Sequence, residues 1–113
     1  MRPDLATVIE RVVALRERAH MDAPDVRLLA EIEDTLTEGY AHALAGDAWS
    51  MRSEQRLHEL ISDAADAPVR GRELRSLAGE HARFQNDVMA LRRELAELRH
   101  DRDRLAATHA ASA

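Results

Sequence analysis

From Leu74 to Leu105 the chain sets Leu74, Leu77, His81, Phe84, Val88, Leu91, Leu95, Leu98, Arg102 and Leu105 alternately three and four residues apart, without interruption. Such alternation lays one stripe of side chains along an α-helix, and a stripe sustained over five heptads commits the segment to packing lengthwise against another helix. With Leu74 at position a, the d positions are Leu77, Phe84, Leu91, Leu98 and Leu105. The g flank is acidic throughout (Glu73, Glu80, Asp87, Glu94, Asp101), whereas the e flank (Ala78, Gln85, Arg92, Arg99, Ala106) holds no acid.

Two partners fit this stripe. In a parallel dimer of the segment, Asp87 would face Arg92 and Glu94 would face Arg99 of the other chain, each exposed pair contributing about 0.2–1 kcal/mol. Alternatively the segment folds back on the helix before it. Residues 22–66 hold eleven acids against Arg27, Arg52 and Arg56, while residues 70–104 hold nine Arg against seven acids, so an acidic helix would lie beside a mildly basic one. The short Ala67–Gly71 turn makes this fold-back the favoured reading, and a dimer of hairpins would use both signals.

Upstream, Leu5, Val8, Ile9, Val12, Leu15 and Ala19 recur at helical spacing and predict a first helix over about residues 3–20. Met21–Asp25 reads as a turn, since Pro24 disfavours helix before it and Asp25 suits an N-cap. A second helix spans about 25–66, with apolar positions at Leu29, Ile32, Leu36, Tyr40, Ala43 and Leu44, then Leu57, Leu60, Ile61 and Ala64. Large aliphatics vanish over Gly46–Gln55, where a Gly-Asp pair could cap and restart a helix, so the sequence leaves open whether the second helix is continuous or breaks near 46–50. Gly39, Ala43 and Gly46 share one face and would admit a close neighbour. The third helix is expected over about 71–107, with a frayed tail at 108–113. The fold class is therefore all-α, a single domain of three helices, the two long ones forming a coiled-coil helical hairpin that dimerises.

Composition narrows the function. The chain has no Cys, which excludes disulfides and thiolate metal sites, and no apolar run of membrane-spanning length, which points to a cytoplasmic protein. All 16 basic residues are Arg, a usage like that of high-GC bacteria, and the net charge is −5. The cluster Arg70, Arg72, Arg75 is the one candidate DNA contact, but interleaved acids and the negative total argue against nucleic acid as a partner.

Glu17–His20 and Glu97–His100 have the Glu-x-x-His spacing of helical carboxylate metal sites, but both pairs fall off the apolar stripes and read as solvated. No phosphate loop, nucleophile motif or convergent acid–base set is present, so no enzyme activity, metal or cofactor is expected. His81, in a core position, reads as a register-setting polar residue whose protonation would charge the seam. Trp49 and Met51 form a candidate docking patch if exposed.

The stretch Glu31-Ile32-Glu33-Asp34-Thr35-Leu36-Thr37-Glu38-Gly39-Tyr40-Ala41-His42-Ala43-Leu44 resembles a segment of small actinobacterial helical proteins. That resemblance implies a bacterial source and no activity. The expectation is a non-enzymatic interaction or oligomerisation module, binding itself and another protein through the seam residues Leu74, Leu77, His81, Phe84, Val88, Leu91, Leu95, Leu98 and Leu105. The alternative is a dimeric DNA-associated regulator using Arg70, Arg72 and Arg75.

Overall fold

A computed structural model describes residues 2–63 and 68–112, with the side chains of 63 and 68–70 outside the description. The chain is all-helical over these residues: α1 (Leu5–Met21), α2 (Val26–Asp63) and α3 (Pro68–Ser112). None of the three is long and apolar enough to cross a membrane.

Each helix start has a chemical cause. Asp4 caps α1 by accepting the Thr7 hydroxyl at 2.7 Å and the Thr7 backbone N–H at 3.4 Å. These bonds, the hydroxyl's first, favour the ionised carboxylate and hold the Asp4 pKa below its ordinary value. Asp25 caps α2 in the same way, accepting the Leu28 N–H at 2.6 Å. The start of α3 lies at Pro68 rather than at 71, because a proline has no N–H to lose in a helix's first turn.

The end of α3 also departs from expectation. Residues 108–112 are helical where a frayed tail is predicted. Ala106, Ala107, Ala110 and Ala111 are the best helix formers, and the Thr108 and Ser112 hydroxyls each donate to the carbonyl four residues back at 3.0 Å.

α2 runs unbroken through the stretch where the sequence leaves a break open. What the sequence lacks there in large aliphatics, α3 supplies: Gly46 is buried against Val88 and Phe84, and Gly39 against Leu95. Those pairings, with the ion pairs Glu33–Arg102, Asp47–Arg92 and Arg56–Glu73, set α2 and α3 side by side and antiparallel. The register is regular. Gly39 opposes Leu95 and Gly46 opposes Val88, so one further heptad brings Ser53 opposite His81 and another Leu60 opposite Leu74.

α1 lies in one groove of this pair. It runs against α2, as Arg11–Glu38 and Arg18–Glu31 show, and along α3, as Arg16–Glu94 and His20–Asp101 show. Its 17 residues cover about 26 Å of a molecule 70 Å long. The molecule is therefore divided. Leu5, Val8, Val12, Leu15 and Ala19 of α1, Leu28, Ile32, Leu36 and Ala43 of α2, and Phe84 to Leu105 of α3 make one apolar core in a three-helix base. Beyond Trp49 and Phe84, whose rings meet at 4.5 Å, α2 and α3 continue alone as a two-helix arm.

Candidate interaction surface

The arm comprises residues 50–63 of α2 and 68–83 of α3. Two helices cannot enclose a seam between them, and the arm shows this. Leu57, Leu74, Leu77 and His81 are only half-buried, and Leu60, which is buried, stands apart from the base core. Ser53, which the register sets across from His81, is buried, and His81 Nδ1 is enclosed with no hydrogen-bond partner among the described residues. The arm seam thus carries one polar layer among leucines.

In the base the other predicted seam residues, Phe84, Val88, Leu91, Leu95, Leu98 and Leu105, are all buried. Their partners are α1 and α2 of the same chain. The acidic g flank meets α1: Glu94 accepts from Arg16 at 2.6 Å, and Asp101 lies 3.6 Å from Arg16 and 3.3 Å from His20. The e-flank Arg92 pairs with Asp47 of α2, and Arg102, at position a, pairs with Glu33 at 2.9 Å. Of the charges that could align two copies of the third helix, Glu94 and Arg92 are engaged within one chain.

Asp101 anchors this network. Its side chain is 4 % exposed, with Arg16, His20 and Arg104 within 3.7 Å, and its Oδ2 accepts no hydrogen bond among the described residues. Burying a carboxylate is costly without cationic partners, and Arg16 supplies one from α1 and Arg104 one from α3. The Glu94 hydrogen bond, opposed by burial and reinforced by the charges of Glu94, Asp101 and Glu97, raises the Arg16 pKa above its ordinary value. Bonds to Glu31 and Glu33 do the same for Arg18 and Arg102.

Of the candidate docking residues, Trp49 is half-buried on Phe84, whereas Met51 stands 71 % exposed. Arg72 and Arg75 are exposed on the arm, beside Glu73, which pairs with Arg56 at 3.5 Å. The Arg70 side chain lies outside the described residues. Among the described residues no three His, Cys, Asp or Glu side chains converge as metal ligands would. A groove between α1 and α2 is bridged by its own ion pairs, Arg11–Glu38 and Arg18–Glu31.

The reading of α2 as apolar at Leu44 and Ile61 needs correction. Both face outward, at 66 % and 62 % exposed, because the heptad that meets α3 runs through Gly39, Gly46, Ser53 and Leu60. Leu44 lies one heptad before Met51 and shares its outward face. Across a shallow groove from Met51 stands Met89 of α3, also exposed. Sequence reasoning misses Met89, although its position directly after Val88 places it on the rim of the stripe. No family model, curated protein or solved structure matches the chain.

Proposed function

We propose that the protein is a cytoplasmic, non-enzymatic association module: a coiled-coil helical hairpin, clamped at its base by α1, that works by pairing with another copy and by presenting its arm to a further protein. The observation that carries this reading is the arm itself. An antiparallel pair whose seam leucines stay half-buried loses apolar burial worth about 25 cal/mol for each Å² left in water, and association recovers it. The ion pairs within the chain support a hairpin as the associating unit, rather than an extended zipper of third helices.

Sedimentation equilibrium on the purified chain tests the reading. A mass of twice 12.7 kDa that falls on dilution is expected. A mass of 12.7 kDa at every concentration would remove self-association from the account.

A further inference from the structure

The α2–α3 pair has two long grooves. One is filled by α1 in the base. The other is open along its length, and the exposed large apolar side chains of α2 and α3 gather beside it: Leu44, Met51, Ile61 and Met89, with Val26 alone at the far end of α2. Between Leu44 and Ile61 this stripe runs for about 26 Å. Three of the four lie along α2, and Met89 faces Met51 across the groove from α3.

Resting on the association reading above, we propose that this open face is where a second copy of the chain docks, pairing two α2–α3 hairpins into a four-helix bundle with both arms pointing the same way. Two observations choose this occupant. The first is area. The chain exposes 7502 Å², whereas a compact monomer of 12.7 kDa exposes about 6,200 Å². The difference exceeds the roughly 800 Å² that each partner contributes to a standard interface, so a second copy has surface enough to bury.

The second observation is charge. Along the open face the α2 edge carries Asp47 and Glu54 and no Arg, while the α3 edge carries Arg92 and, a heptad on, Arg99, with Asp103 beyond them beside Arg102. Asp47 already pairs with Arg92 of its own chain, and a two-fold axis parallel to the helices lays each α2 edge over the α3 edge of the other copy, so the two ion pairs lie side by side with signs alternating. A two-fold axis across the helices would stack α2 on α2 and acid on acid. Complementarity selects the first. Methionines at the centre suit a self-complementary surface, since their flexible thioethers repack against one another.

The test uses the full chain with Met51→Glu and Met89→Glu together, and Met21→Glu as a control. All three positions are exposed, so the substitutions leave the fold in place, which circular dichroism checks. Light scattering over a dilution series is expected to show wild type and Met21→Glu as dimers of equal affinity, and the double variant at least about 100-fold weaker. Because the chain contains no Cys, a spin label at Arg72→Cys, near the arm tip, reads orientation cleanly. Arms pointing the same way give a label separation of about 20–25 Å, and opposed arms about 35 Å or more. A wild-type chain that is monomeric throughout overturns both this inference and the reading beneath it. A dimer that the double variant does not weaken overturns the surface alone, and a long label distance overturns the orientation.

Discussion

Gly39→Ala is the substitution that most sharply tests the close packing of α2 on α3. A glycine inside a helix costs about 1 kcal/mol relative to alanine, so propensity alone makes the change stabilising. At Gly39 the added Cβ would stand inside the contact radius of Leu95 Cδ2 and 3.3 Å from Leu95 Cδ1 and Cγ. Leu95 is fully buried, so no free rotamer receives the displaced methyl, and overpacking costs about 1–3 kcal/mol. With three Leu95 atoms crowded, the upper half of that range applies and the net effect is a loss of about 1–2 kcal/mol. Gly46→Ala meets Val88 Cγ2 at 3.0 Å and Phe84 no nearer than 3.5 Å, so gain and cost nearly cancel. Gly79→Ala approaches only the mobile end of Arg83 at 4.0 Å and keeps the full gain of about 1 kcal/mol. Urea unfolding followed by circular dichroism, at one protein concentration because association adds to apparent stability, ranks the three. A Gly39→Ala midpoint that rises alongside that of Gly79→Ala would refute the close approach.

Further predictions concern polar groups. Asp101→Ala strips the buried anion from between Arg16, His20 and Arg104 and is expected to cost about 2–3 kcal/mol in urea unfolding, while an unchanged midpoint would show that α1 is held by its apolar face alone. Asp4 has a folded pKa below its unfolded value, so its contribution is present above the unfolded pKa and is lost as pH falls through the folded one. The stability difference between wild type and Asp4→Ala should accordingly shrink on acidification below about pH 4, and a difference that stays constant to pH 2 would contradict the cap. His81→Leu removes a buried, unpartnered Nδ1 from the arm and should raise stability by about 1 kcal/mol, whereas a loss would mean that the imidazole has a partner in the associated state.

The three helices and most of the core are legible in the sequence because heptad and helical spacing translate directly into buried faces, as at Val12, Ile32 and Leu98. Which face of α2 meets α3 is less legible. Hydropathy weights Leu44 and Ile61 over Gly39, Gly46 and Ser53, yet the small residues win because they let Leu95, Val88 and Phe84 fill the gap from the other side. The ion pairs show a similar limit. Heptad rules pair Glu94 with an Arg five residues on in a second copy, but Arg16 lies 78 residues away in sequence and 2.6 Å away in space. The open stripe with Met89 is hidden for a third reason: its residues belong to two helices, and only the antiparallel register brings them to one groove.

The central claim is that the base is complete within one chain and the arm is completed by association. Amide hydrogen exchange at high and low protein concentration tests it most directly, because local opening reports how well each segment is covered. Protection of residues 50–62 and 71–83 is expected to rise with concentration, while protection around Leu91, Leu95 and Leu98 does not change. Arm protection that is equal at both concentrations would contradict it.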